Sequence, residues 1–389
     1  MSSPTTAARS AVHVGVFDGL RGIAILAVVW YHLALVTGVT PTSLIAQTGF
    51  MGVDLFFFVS GFCLFWPHAR HIFEGRAQPT LGEFAERRLE KILPSYFVAL
   101  CIIAAAHASW FPTTAALVWN VIVHALFIHP WWWATFGSIS GPFWTLGIEV
   151  QFYALFPFFV RAFRRNPVVV YLVMTAVAHL YRWWIASIGS DTALYATNQL
   201  PAVLDVFGAG MLAAYAIGQV ATMEQTKLRR TATTTGAIVA FALLIVLLYD
   251  LNQATLAGGT AAQYAWLNGH RALFALDFFA LAACSFSAMP MIRSALSNPI
   301  FIFAAAISYN VYLWHLEIIV WLSQIHVPPI VSAACAILAG TIATYAIERP
   351  LLKGGWRRLF ADPMRAIVSN LSPVARISSS PAAGYQQPT

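Results

Sequence analysis

Charge is what this sequence has least of. Asp, Glu, Lys and Arg make up 10% of its 389 residues, where a soluble domain carries about 25%. Apolar residues reach 59%, and mean hydropathy is +0.70. A water-exposed fold of this size cannot hide so much apolar surface, so the solvent for most of the chain is lipid. Cysteine is also scarce. Cys63, Cys101, Cys284 and Cys335 all fall in apolar stretches and form no Cys-x-x-Cys pair, which argues against a disulfide framework or a zinc site. His68 and His71 have no acidic or Cys partner nearby, so no metal is expected. No periodic repeat occurs, and no glycine-rich nucleotide fingerprint follows a strand pattern; Gly258-Gly259 is read as a loop. The first apolar run holds Arg21 and His32 and is a full span, not the short core of a cleavable signal.

What is present is a series of spans. A bilayer crossing needs about 20 mainly apolar residues. Such stretches occur at 19–38, 48–66, 92–110, 142–160, 167–187, 201–219, 231–249, 270–289, 299–323 and 328–347, with 114–129 a weaker, short or interfacial candidate below Trp131-Trp132-Trp133. The expected fold is all-α, a polytopic bundle of about ten transmembrane helices around a central polar cavity. Residues 1–17 are expected to form a cytoplasmic tail, 18–350 the membrane domain, and 351–389 a basic tail that is partly disordered because it is rich in Ser, Pro and Ala.

The net charge of +7 raises the question of nucleic acid, and the placement of the cations answers it. With the N-terminus in the cytoplasm, 19 of the 22 Lys and Arg residues fall on that side, among them Arg70, Arg76, Arg161, Arg164, Arg165, Lys227, Arg229 and Arg230. Loop bias of this kind sets membrane orientation. Both termini are then cytoplasmic, the contacts of these cations are with membrane lipid, and no nucleic-acid partner is expected. The exceptions are Arg21 inside the first span and Arg182 and Arg271 near outer ends.

Ionisable residues inside spans are costly and mark function by default. Arg21 and His32 are eleven residues apart. At 100° per residue that is three turns plus roughly 20°, so both project from one helix face, separated by a rise of roughly 16 Å. Taken singly, Arg21 snorkelling to lipid phosphates and His32 bonding a neighbouring helix are equally open. Together they place a fixed cation near the inner boundary and a titratable imidazole past the middle.

Leu20-Arg21-Gly22 with His32, in a first span, closely resembles the signature of the membrane acyltransferase-3 family. Further matches follow in order: Gly52-Val53-Asp54-Leu55-Phe56-Phe57 with Ser60-Gly61-Phe62; Arg87-Arg88-Leu89-Glu90-Lys91; Trp144-Thr145-Leu146 with Glu149, Phe152 and Tyr153; Ser308-Tyr309, Tyr312-Leu313 and His315; and Glu348-Arg349-Pro350. The resemblance runs from residue 17 to about 350 and is carried by the ordered set. That family includes O-acetylases of O-antigen, peptidoglycan and exopolysaccharide and acylases of macrolides. The resemblance implies a bacterial inner-membrane O-acyltransferase that takes acetyl-CoA or another acyl-CoA as co-substrate and a saccharide or glycoside as acceptor.

On that resemblance, Arg87, Arg88 and Lys91 form a basic loop that holds the CoA phosphates; the alternative is that they only enforce topology. Lys91 stands where the family's usual pattern has arginine, keeping the charge without the planar fork. His32 is the expected general base, with an acyl-His32 intermediate as the variant. Arg21 holds the donor or stabilises charge developing on it. Glu149 either orients the imidazole or makes an interhelical hydrogen bond. Ser308, Tyr312 and His315 share a helix face at i, i+4, i+7; His315 is the expected functional member, and Ser308 and Tyr312 either line the site or pack a seam. Asp54, Trp144 and Tyr153 are expected to bind substrate, while Asp54, Asp205 and Asp277 are equally open to lining the acceptor side or capping helix termini. About 40 residues follow Glu348, too few for the soluble catalytic domain some relatives carry, so the membrane core is expected to complete the transfer or hand it on. Two other classes fit the same intramembrane His, Glu and Asp: a proton-coupled transporter, and a non-catalytic partner in a glycan-export complex.

Overall fold

The computed structural model describes residues 4–40, 43–188 and 193–352, and side chains from 15 onward except at 193–194. The tail expected at 351–389 lies almost wholly outside the described residues. Among these residues there is no strand. The chain forms α1 (Pro4–Thr37), α2 (Gly52–Glu74), α3 (Leu81–Ala106), the short α4 (Thr114–Ala125), α5 (Trp144–Arg165), α6 (Pro167–Ile188), α7 (Leu204–Ala221), α8 (Lys227–Ser287), α9 (Pro299–Gln324) and α10 (Pro329–Ala343). A π-helical turn, Thr344–Glu348, continues α10. Nine of the described elements are long and apolar enough to cross a bilayer. The expected tail at 1–17 is in part helical, because α1 extends back to Pro4.

The nine elements supply ten segments of bilayer-spanning length, because one of them is folded back on itself. α8 has 61 residues, which as one rod would be about 90 Å long, three times a bilayer core. It breaks at Gly258 and at Gly259, whose φ of 63° and ψ of −155° lie outside any helix. Trp266 Nε1 donates to Asp250 Oδ2 at 2.8 Å, and the Met289 amide to Thr234 Oγ1 at 2.9 Å. Residues on either side of the break therefore meet at both ends of the arms, and α8 is an antiparallel hairpin. Arms 231–249 and 270–289 are the expected spans.

Local signals set the helix ends. Thr80 and Glu83 form a reciprocal capping box ahead of α3, with Glu83 N to Thr80 Oγ1 at 3.2 Å and Thr80 N to Glu83 Oε2 at 2.9 Å. Asn298 caps α9 with Pro299 at its first position. Gly75 closes α2 in the left-handed conformation, φ 66°.

Packing around the centre depends on close backbone approach, as expected where lipid supplies no hydrophobic drive between helices. A Cβ at Gly61 of α2 would stand 2.2 Å from Phe207 O of α7, and one at Gly210 would stand 2.0 Å from Phe58 O. A Cβ at Gly22 of α1 would meet Phe301 O of α9 at 2.2 Å. These contacts press α2 onto α7 and α1 onto α9. The first arm of α8 and α6 turn Ile238, Val239, Phe241, Leu172 and Leu180 outward to lipid.

Two buried ion pairs clamp the end away from the basic loops. Arg182 donates to Asp205 Oδ2 at 2.7 Å and to Ala202 O at 2.7 Å. Arg271 donates to Asp54 Oδ2 at 3.0 Å, Thr197 O at 2.7 Å and Asn198 Oδ1 at 3.3 Å. All four charged side chains are buried, and the pairs hold the segment around 197–203 over the bundle. This accounts for Asp54 and Asp205, whose roles the sequence left open.

Candidate active site

Two cavities lie back to back within the bundle. The one nearer the basic helix ends has a volume of about 110 Å³. Arg21 from α1, Ser60 and Cys63 from α2, Arg88 and Lys91 from α3, Glu149 and Tyr153 from α5, and Ser308 from α9 line it. Arg88 and Lys91 are three residues apart on α3 and share a face. Arg87 is rotated about 100° away, is exposed, and does not line the cavity. The expected basic loop is thus the first turns of a helix, and two of its three cations face inward.

These cations are already engaged. Lys91 Nζ hydrogen-bonds Glu348 Oε1, and Glu348 Oε2 accepts from Asn310 Nδ2 at 2.6 Å. The Arg88 guanidinium lies over the Tyr153 ring, 5.6 Å from its centroid. Glu149 Oε1 accepts from Ser60 Oγ at 2.7 Å and from the Tyr153 hydroxyl. Glu149 therefore does not orient His32. It lies in the other cavity from the imidazole, and its hydrogen bonds join α2 and α5 beside the cations.

The second cavity is larger, about 580 Å³, and its walls are aromatic. Tyr31, Phe50, Trp133, Phe136, Trp144 and Tyr264 contribute rings, and Trp144 stacks on Phe136 with centroids 5.3 Å apart. Ser138, Asn198, Asp54 and Arg271 add polar groups. His32 faces this space. Its Nδ1 lies 3.0 Å from Val28 O, one turn back, and 3.0 Å from Nε2 of His315 on α9. His315 is buried, with Nδ1 2.9 Å from Tyr312 O and 3.1 Å from Val311 O. The stripe carrying Arg21 and His32 thus spans both cavities, one residue in each.

Val53 and Tyr312 stand in both walls and form the septum. The Tyr312 hydroxyl lies 3.0 Å from Thr145 Oγ1 and 3.3 Å from Pro142 O, and the Phe56 ring meets its ring edge-on at 6.0 Å. Of the residues expected to contact substrate, Asp54 and Trp144 line the aromatic cavity, Tyr153 and Ser308 the cationic one, and Tyr312 both. Sequence reasoning gave no site role to Tyr31, Asn198 and Tyr264, quoted Ser60 only within a motif, and noted Arg271 only for its position. A usable signal was there: Arg182 and Arg271, left unexplained near outer span ends, have intramembrane acids available to pair with, among them Asp54 and Asp205.

A family model for an acyltransferase domain matches residues 14–349. The chain belongs to the acyltransferase-3 family. It is similar to an O-acetyltransferase of Staphylococcus aureus strain NCTC 8325, at 22% identity over 87% of this chain and 57% of the relative. A protein of S. aureus strain COL, named an O-acetyltransferase by inference, is 23% identical over 88% of this chain and 58% of its own length. The peptidoglycan O-acetyltransferase of Listeria monocytogenes is 27% identical over 44% of this chain and 29% of the relative. The chain spans somewhat more than half the length of the S. aureus relatives. No solved structure matches. Membership accounts for the order of the motifs along this acyltransferase-3 chain, from Arg21 to Glu348.

Proposed function

We propose that this acyltransferase-3 chain is an O-acyltransferase of the bacterial inner membrane that moves an acyl group, acetyl first among them, from acyl-CoA to a hydroxyl of a saccharide or glycoside. The observation that carries it is the pair of cavities sharing one septum, with cations in one and an accessible imidazole in the other. CoA bears phosphates, and Arg88 and Arg21 offer charge-assisted donors beside a small cavity. Lys91, held by Glu348, contributes as a point charge. The positive-inside pattern supports a cytoplasmic side for this end and for both termini, where acyl-CoA is found. The narrow pantetheine arm suits the space leading to Tyr312 and Val53, and the thioester would reach His32 across that septum.

The second cavity suits a sugar. Aromatic faces pack against the C–H faces of a pyranose, and a few placed polar groups select its hydroxyls. His32 takes the proton of the attacking hydroxyl, the oxygen bonds to the thioester carbon, and the C–S bond breaks. Arg21, on the donor side of the same stripe, holds the donor in place. Removing a general base costs ~10²–10⁴-fold in turnover.

The test is release of CoA thiol by the purified protein in vesicles, supplied with acetyl-CoA and a saccharide acceptor. Wild type releases thiol, and His32→Ala loses ~10²–10⁴-fold while still binding CoA. A proton-coupled carrier or a non-catalytic export partner would release none, and for the latter His32→Ala would leave glycan acylation in cells unchanged. Mass spectrometry of surface glycans from a deletion strain names the acceptor.

A further inference from the structure

His32 can act as a base only if a ring nitrogen facing the acceptor lacks a proton, and its neighbours decide which nitrogen that is. Nδ1 of His315 lies 2.9 Å from Tyr312 O and 3.1 Å from Val311 O. Both are carbonyl acceptors, so Nδ1 of His315 carries a hydrogen and donates. In the neutral ring, Nε2 of His315 is then an acceptor. That nitrogen is 3.0 Å from Nδ1 of His32, which is itself 3.0 Å from Val28 O. Two acceptors converge on Nδ1 of His32, so this nitrogen too must carry the hydrogen. The opposite assignment, a proton on Nε2 of His315 pointing at a bare Nδ1 of His32, would set that lone pair against Val28 O at 3.0 Å. One tautomer of each neutral ring satisfies all four contacts.

We infer that His315 is a positioning residue that locks His32 in the Nδ1–H tautomer and leaves Nε2 unprotonated toward the aromatic cavity. This rests on the acyl transfer proposed above and adds the part that a triad carboxylate plays elsewhere. When Nε2 of His32 takes the acceptor's hydroxyl proton, the imidazolium keeps its Nδ1–H bond to Nε2 of His315. The same Nε2 proton then passes to the departing CoA sulfur, leaving an ester, a thiol and the starting tautomers. His315 is completely buried and takes no proton in the cycle, and it touches neither substrate. Glu149, bonded to Ser60 and Tyr153, has no part in this.

Two measurements test it. The first needs no turnover. Nitrogen-15 NMR of histidine-labelled protein in vesicles at neutral pH, with His32 assigned by its loss in His32→Ala, should show Nδ1 protonated and Nε2 bare. A bare Nδ1 with a protonated Nε2 would overturn the proposal even if the enzyme is active, whereas absence of thiol release in wild type would overturn only the acyl transfer. The second measurement compares His315→Leu with His315→Gln, whose amide oxygen can accept from Nδ1 of His32. His315→Leu should lower kcat by about 10- to 100-fold with the KM for acetyl-CoA unchanged. This is less than the ~10⁴ lost on neutralising a triad carboxylate, because a neutral ring stabilises the imidazolium less. His315→Gln should recover most of kcat. Wild-type kcat in His315→Leu, or equal loss in both variants when both elute as folded monodisperse protein, would refute the positioning role.

Discussion

The sharpest test of the donor site sets two neighbouring arginines against each other. Arg87 and Arg88 look alike in sequence, but Arg88 lines the cationic cavity and Arg87 is exposed on another face of α3. A hydrogen bond to a charged group contributes ~1.5–3 kcal/mol. At ~1.4 kcal/mol per tenfold, Arg88→Ala should raise the KM for acetyl-CoA roughly 10- to 150-fold. Arg87→Ala removes a screened surface charge of about 0–1 kcal/mol, at most about fivefold. Arg88→Lys should fall between, since it keeps the charge and loses the fork. The assay is thiol release against acetyl-CoA concentration in vesicles, at two salt concentrations. Loss of the Arg88 stack on Tyr153 affects folding as well, so detergent thermal midpoints should be measured in parallel. If Arg87→Ala weakened donor binding as much as Arg88→Ala, the cavity would not be the donor's entry and the assignment of the two cavities would fail.

Three further outcomes follow from the fold. Asp54→Ala leaves Arg271 buried without its carboxylate and should cost about 3–5 kcal/mol, with Asp54→Ala/Arg271→Leu recovering part of it in detergent unfolding. Gly210→Ala forces a methyl group to within 2.0 Å of Phe58 O and should lower stability by about 1–3 kcal/mol through separation of α2 and α7, read as a lower thermal midpoint. His129, in the segment between α4 and α5, has its pKa pushed down to about 3, first by burial and then by the neighbouring His124. The unfolded chain takes up that proton from about pH 6.5 downward and the folded one does not. Its contribution to stability is therefore full above pH 6.5 and is lost as pH falls toward 3, by up to about 1.4 kcal/mol per pH unit. His129→Gln should flatten that part of the pH–midpoint curve, and an unchanged slope would remove His129 as its source.

Much of the bundle was legible along the chain because each span declares itself by length and polarity alone. All ten expected spans fall on helices long and apolar enough to cross a bilayer, two of them on the arms that α8 joins across Gly258-Gly259. The Arg21–His32 stripe was legible because both residues ride one helix, where spacing translates directly into direction. Glu149 was not. Its distance from His32 in sequence says nothing of which side of the Tyr312 septum it occupies, and its bonds run to Ser60 and Tyr153. Lys91 and Glu348 are 257 residues apart, and nothing local pairs them. The Arg87–Arg88 distinction lies between these cases: helical phase separates the two, but only the cavity's place decides which one faces it.

By itself, the sequence determined the solvent, the crossings, the basic face of the bundle and the family, because lipid imposes constraints that act on one segment at a time. The tertiary structure alone decided which buried groups meet: His32 with His315, Asp54 with Arg271, Glu149 with Ser60. Those pairings come from close approach between helices far apart in the chain. Backbone contacts at Gly22, Gly61 and Gly210 set them, and no pattern within a single helix encodes the partner across the seam.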